Sequence, residues 1–369
     1  MPAVSSVLVV GCGLIGASVG MALRDAGWDV LLEDHDPGAV GTAVRRGAGE
    51  PWEGGTRCDI AVIAVPPRLT ASVLMATQNR NVAQTYTHVS SVQSHVQREV
   101  EALSTDVSVI IGGHPLAGRE LSGPAAATAD LFAGRPWAIC PGQRTSPEAV
   151  DALRALVAGV GADPVELSAD AHDAAVAALS HLPQVAASAL AAGLVGARLD
   201  AGELRLAGPG LVDTTRLAAS DAGLWEQILE LNAPHVAPVL TDLAARLTSA
   251  AAALTSLGGA PTPPEAAAAV AAVRDLLRDG NAGRALVPVK RGVRSEAFAP
   301  VRVTVRDEPG RLAALLTDAG LAGVNVEDVH VEHIPGRPTG VIELAVEVGD
   351  VLALTEALRG SGWAVADPA

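Results

Sequence analysis

VLVVGCGLIGAS, residues 7–18, sets Gly11, Gly13 and Gly16 in G-x-G-x-x-G order, after an aliphatic strand-like run and at the start of helix-forming residues. In that context each glycine has a task. The first permits a tight turn, the second lets backbone approach a pyrophosphate, and the third lets the helix close on the strand. The phosphates then lie at the positive N-terminus of the helix, beside Leu14 and Ile15. The next run, DVLLED (29–34), ends in Asp34, whose carboxylate would accept bonds from ribose hydroxyls and repel a 2′-phosphate. No arginine lies between Asp34 and Arg45, so the pattern selects NAD over NADP. A third run, DIAVIAV (59–65), is expected to meet the cofactor at Val65 and Pro66.

The same alternation continues to about residue 167. SVLVV (6–10), DVLLED, DIAVIAV, TYTHV (85–89), VSVII (107–111), PWAIC (136–140) and DPVEL (163–167) are separated by helix-length connections. That spacing implies βαβ units and a parallel sheet. From Ser168 to residue 284 the strand signal vanishes, and Ala/Leu helical periodicity is broken only at GPG (208–210) and GGAPTPPE (258–265). A connection (285–297) leads to a strand–helix–strand–strand–helix–strand pattern, the order of a ferredoxin-like unit. The predicted fold class is therefore α/β. A Rossmann-type parallel-sheet domain (1–167) is followed by an all-α dimerisation domain (168–284), the linker, and a small α+β domain (298–369).

A chain of 369 residues can bury several cores. It is 49% hydrophobic but only 2% aromatic, so those cores must be built from Ala, Val and Leu. A net charge of −15 argues against nucleic acid and anionic membranes, both of which need a basic face. Cys12, Cys58 and Cys140 show neither paired nor metal-ligand spacing, as expected of reduced thiols in the cytoplasm. The N-terminus lacks the basic region of a signal peptide. The longest apolar stretch, LPQVAASALAAGLVGA (182–197), is short and Ala/Gly-rich and reads as a buried helix, not a membrane span.

Ligands of doubly wound sheets lie across the carboxyl ends of the strands, where strand order reverses. With TYTHV and VSVII as fourth and fifth strands, the loops HVSSVQS (88–94) and GGHPLAGRE (112–120) leave at that edge. Ser91 and His114 then approach the nicotinamide from neighbouring strands. Imidazole suits proton transfer at neutral pH, and a hydroxyl can fix its orientation. Taken alone, His114 also reads as a loop residue with a satisfied hydrogen bond; its placement favours a base. His172 and His181 are nine residues apart, so one regular helix does not put both on the same face. One capping group and one buried histidine is the plain alternative. Arg216, in DTTR, either pairs with Asp213 or Asp221 or binds an anionic substrate.

GCGLIGAS, SSV (90–92), GGHPLAGRELSG (112–123), HD…SHLP (172–183) and DTTRLAASD, with Trp225 shortly after, occur in this order along the chain. Together they resemble the prephenate/arogenate dehydrogenase family of tyrosine biosynthesis. The resemblance implies a homodimer that uses NAD to convert prephenate into 4-hydroxyphenylpyruvate by oxidative decarboxylation, or arogenate directly into tyrosine. It implies that His114 takes the proton of the C4 hydroxyl while hydride passes from C4 to the nicotinamide, and that Ser91 positions both. Arg216 would hold a substrate carboxylate, with His181, Gln184 and Glu120 also on the substrate. Aromatisation drives the reaction, so few groups suffice and no metal is called for. Two departures stand out. His88 and Gln93 occupy positions where many relatives carry an acidic residue and a lysine. Gln184 stands where many prephenate-specific relatives have a second histidine, which bears on the choice between a keto acid and an amino acid.

RDEPGRLAAL (306–315) resembles the D-x-P-G-x-L turn of ACT domains, at Asp307, Pro309, Gly310 and Leu312. That implies an amino-acid site with tyrosine as effector; the alternative is a unit that only strengthens the dimer. Two other readings stay open. One is a β-hydroxyacid dehydrogenase or imine reductase of similar layout, which the absence of any lysine before Lys290 weakens. The other is a non-catalytic sensor of NAD and an amino acid, which would tolerate His114→Ala.

Overall fold

The computed structural model describes residues 5–104, 106–118, 121–287, 297–333 and 338–366. The chain divides into two compact units, residues 1–242 and 243–369.

The first unit opens with β1 (Ser6–Val10), α1 (Leu14–Asp25), β2 (Asp29–Glu33), α2 (Pro37–Arg45), β3 (Glu50–Pro51), β4 (Cys58–Ile63) and α3 (Thr70–Asn79). It continues with β5 (Ala83–His88), α4 (Ser94–Leu103), β6 (Ile110–Pro115), β7 (Pro136–Cys140), α5 (Pro147–Gly159) and β8 (Asp163–Glu166). Among the described residues these strands form one sheet in the order β3-β2-β1-β4-β5-β6-β7-β8. Chain order reverses between β1 and β4, so the ligand crevice of such a sheet opens beyond Val10 and Ile63. Val7, Leu8, Val9 and Ile60–Ile63 are fully buried, because α1 and α5 pack on one face of the sheet and α3 and α4 on the other. A strand covered on both sides is apolar throughout, as the sequence runs were.

Two features differ from the sequence reading. The sheet is not wholly parallel: β7 runs antiparallel to β6, with Gly112 opposite Cys140 and His114 opposite Ala138. Among the described residues no crossover helix joins these strands, only a segment with a 3-10 turn at Pro124–Ala126, so the chain returns in the opposite sense. The strand expected at 107–111 instead spans Ile110–Pro115, so His114 sits in a strand and not in the loop after it. Its two preceding glycines allow this. A Cβ on Gly113 would lie 3.0 Å from the His88 carbonyl oxygen, and one on Gly112 would lie 2.3 Å from Gln93 Oε1.

The helical part begins with α6 (Ala169–Val176), a π turn (Ala177–His181) and α7 (Leu182–Ala197), continuous over Ala169–Ala197. Pro183 explains the π turn: it has no N–H to give the carbonyl four residues back, and its ring crowds that carbonyl. The extra residue rotates the rest of the helix by about 100°. Then come α8 (Pro209–Thr215), α9 (Ala222–Leu231) and α10 (Ala233–Gly258), in which the division between units falls. The expectation that residues 182–197 are buried is not met. Only Gln184 and Ala187 are, while Leu190 is 44% and Val195 83% exposed. Ala169–Ala197 has the length and apolar composition of a membrane span, but its first half is bonded into a polar cluster with Gln93 and His114.

In the second unit, Arg246 of α10 pairs with Asp279 of α11 (Pro263–Leu286) at 3.2 Å. A capping box of Thr262 and Glu265 starts α11. After it come β9 (Phe298–Arg306), α12 (Arg311–Leu321), β10 (Asp328–His333), β11 (Thr339–Glu347), α13 (Val351–Gly360) and β12 (Ala364–Val365). These strands form an antiparallel sheet in the order β10-β11-β9-β12, the βαββαβ pattern anticipated. Val301, Val303 and Val305 are buried with Leu315, Leu344 and Leu354, while Arg302, Thr304 and Arg306 alternate on the exposed side.

Candidate active site

The glycine turn is shaped for a dinucleotide. Gly11 has φ +103°, and a Cβ there would lie 2.3 Å from the Ala64 carbonyl oxygen. On Gly16 it would lie 1.9 Å from the Gly11 oxygen, so protein packing alone requires both glycines. Gly13 is different: its Cβ would meet nothing within 4 Å. It is the N-cap of α1, with no side-chain cap, so the space beside it faces free N–H groups suited to an anion. Leu14 and Ile15 start that helix half-buried against the core. Asp34 follows β2, its Oδ2 accepting the Cys12 N–H at 2.6 Å. Val65 lies against Gly11, and Pro66 beyond it is exposed. The Cys12 thiol is pushed up to about 12 by burial and by Asp34, so no thiolate opposes a phosphate. These residues fit NAD.

At the ends of β5 and β6 the site is built around a line of three side chains. His114 Nδ1 lies 2.8 Å from His172 Nε2, and His172 Nδ1 lies 2.8 Å from Asp173 Oδ1. Asp173 also accepts the Gln93 N–H on Oδ1 and the Ser94 N–H on Oδ2, each at 2.8 Å. It therefore caps α4, which has no side-chain cap of its own in sequence. Burial pushes its carboxyl up, but the hydrogen bond from His172 and the Gln93 and Ser94 N–H groups outweigh this and hold it below the usual range. An ionised Asp173 accepts the His172 Nδ1 proton. His172 Nε2 is then an acceptor and takes the His114 Nδ1 proton, which leaves His114 Nε2 as the free lone pair. Burial pushes His114 down to about 3 and His88 to about 4, so both rings are neutral at pH 7.

Ser91 is half-buried on the adjoining loop, but the orienting partner of His114 is His172 and not the Ser91 hydroxyl that sequence suggested. Gln93 fastens that loop: its Nε2 donates to the Ser90 and Gly113 carbonyls at 2.6 and 3.1 Å. The π turn brings His181 round, and both His172 and His181 are buried. Asn232 links His181 to the main chain of Asp173, donating to the Asp173 carbonyl at 2.9 Å and meeting His181 Nδ1 at 3.1 Å. Trp225 stands edge-on to His181 with ring centroids 5.8 Å apart. Gln184 is buried and donates to the Leu217 carbonyl at 2.9 Å, and its Oε1 has no partner. Arg216, next to Leu217, is exposed at the end of α8. Glu120 lies outside the described residues. Asp173, Asn232 and the bracing by Gln93 were not anticipated; the only signal for Asp173 was its place beside His172 in the HD pair.

The family model for the prephenate dehydrogenase nucleotide-binding domain matches residues 19–166, and that for the prephenate dehydrogenase dimerization domain matches residues 168–258. The probable prephenate dehydrogenase NovF of Streptomyces niveus is 37% identical over 96% of this chain and 98% of its own. The crystal structure of Synechocystis arogenate dehydrogenase is 26% identical, covering 76% of this chain and 98% of that one, with TM-score 0.61. The same fold occurs in prephenate dehydrogenase from A. aeolicus, solved with hydroxyphenyl propionate and NAD+ (22% identity, 75% and 98% coverage, TM-score 0.64). This chain belongs to the prephenate dehydrogenase family.

Proposed function

We propose that the protein catalyses NAD-dependent oxidative decarboxylation of prephenate to 4-hydroxyphenylpyruvate. The observation that carries this reading is the His114–His172–Asp173 line, which leaves a neutral imidazole with its free Nε2 at the carboxyl edge of the sheet. The Gly11–Gly16 turn and Asp34 would hold NAD, which would supply the hydride acceptor. His114 accepts the proton of the substrate hydroxyl on Nε2. Its new positive charge is shared with Asp173 through His172, in the low-dielectric interior where such a partner counts most. Ser91, with its hydroxyl not committed to His114, meets the same substrate hydroxyl. Arg216 holds a substrate carboxylate, and His181 and Glu120 meet the substrate elsewhere.

A second reading, arogenate as substrate, is favoured by Gln184. Its buried Oε1 lacks a donor, and an ammonium would supply one where a keto group cannot. Steady-state NADH formation with the two substrates in parallel separates the readings. A higher kcat/KM for prephenate supports the first, and a higher value for arogenate replaces it with the second.

The domains run 1–167, 168–284 and 298–369, joined by the linker 285–297. The exposed apolar flank of α7 and the dimerization-domain match support a homodimer through the helical segment. The βαββαβ order and the left-handed Gly310 (φ +84°) at the start of α12 support an ACT-like unit with tyrosine as effector. Inhibition by tyrosine that disappears in Asp307→Ala tests that assignment.

A further inference from the structure

We propose that Asn232 is a positioning residue for substrate binding: its amide holds His181 in the Nε2–H tautomer, so that the ring presents a hydrogen-bond donor to an anionic oxygen of the substrate. The role rests on reading this cluster as the substrate site. The orientation of Asn232 is set by a neighbour that can only accept. The atom 2.9 Å from the Asp173 carbonyl oxygen must be the NH2 group. That same nitrogen lies 3.1 Å from His181 Nδ1. A proton on Nδ1 would set two donors against each other, so Nδ1 carries the lone pair and the proton resides on Nε2.

The opposite end of the amide is braced as well. Asn232 Oδ1 lies 3.0 Å from His235 Nδ1, and His235 Nε2 lies 3.0 Å from Asp170 Oδ1. Asn232 and His181 are each 1% exposed, so water does not substitute for either partner. Burial pushes His181 down to about 4, so it is uncharged at neutral pH and its tautomer decides which nitrogen donates. Asn232 ties His181 to the main chain of Asp173, whose side chain orients His114 through His172, so the donor and the base belong to one bonded cluster.

The test is a long-range 1H–15N spectrum of the full chain labelled with 15N-histidine, with His181 assigned by its loss in His181→Gln. Kinetics of Asn232→Asp and Asn232→Ala accompany it. In the wild type the His181 proton is expected on Nε2. In Asn232→Asp the carboxylate draws a proton to Nδ1, and KM for the substrate rises roughly ten- to hundredfold while KM for NAD is unchanged. Asn232→Ala, free of repulsion against the Asp173 carbonyl, raises the same KM without fixing either tautomer. A wild-type proton on Nδ1 overturns the proposal, whether or not the variants fold. So does an Asn232→Asp protein whose tautomer inverts with no change in substrate KM. Absence of turnover with either substrate would contradict the proposed function instead, and the wild-type spectrum would still decide the tautomer.

Discussion

The place of His114 at the carboxyl edge of the dinucleotide-binding sheet was legible from its surroundings in sequence, between GG and P after an apolar run. What orients it was not. Sequence pointed to Ser91, a neighbour on the next loop, whereas the partner is His172, 58 residues away, backed by Asp173. An acid in the first turns of a helix reads as a solvent-facing charge that favours its own helix; here it caps a different one. Asp173→Asn tests this. The amide must turn one N–H toward a backbone donor and loses the charge that shares the His114 proton. We expect kcat to fall on the order of 10²-fold and stability to fall by about 1 kcal/mol from the lost cap, read by initial rates and urea denaturation. Unchanged kcat would remove His172–Asp173 from the mechanism.

At the scale of elements, β1, β2, β4 and β5 were legible as β-branched and apolar runs, whereas the two-residue, exposed β3 carried no such run. β6 was misplaced by three residues because glycine carries no strand signal. Gly112 and Gly113 are there for lack of room, a property visible only once β5 and β7 are in place. Gly113→Ala should cost about 1–3 kcal/mol, since its Cβ would lie 3.0 Å from the His88 carbonyl oxygen, a backbone atom that can give way only if β5 shifts. A thermal melt within a degree of wild type would show that the sheet has slack there. The π turn was equally hidden, although its cause, Pro183, was in view. Replacing Pro183 with alanine restores a main-chain donor, and helix stability should hold or rise. If the π turn relaxes to α, His181 rotates by about 100° and substrate KM rises several-fold. A Pro183→Ala enzyme with unaltered KM would mean that packing, not proline, sets the turn.

Across the whole molecule the order of segments was readable because the hydrophobic period changes with each, but the exposed apolar flank of α7 was not. An Ala/Leu helix looks the same whether its far side meets its own chain or another copy, which is why α7 was expected to be buried. Light scattering at micromolar concentration should give a dimer; a monomer would leave Leu190 and Val195 unexplained. The buried histidines also set a pH limit. His88, His114 and His181 have folded values of about 3 to 4, below their unfolded value near 6.5. The unfolded chain therefore binds more protons between those limits, and stability falls as pH drops from about 6.5, by about 1.4 kcal/mol per pH unit for each ring. Asp173, whose folded value is lowered, acts the same way but only below about pH 4. Urea midpoints flat from pH 7 to 5 would contradict the buried, neutral state of these rings. The most direct test of the central claim is NADH formation by the purified protein with prephenate and arogenate, compared with His114→Ala, alongside NAD titration of both proteins. We predict turnover of at least one substrate, a loss of roughly 10²- to 10⁴-fold in the variant, and equal NAD affinity. Wild-type activity that survives His114→Ala, or NAD binding without turnover of either substrate, would contradict His114 as the base.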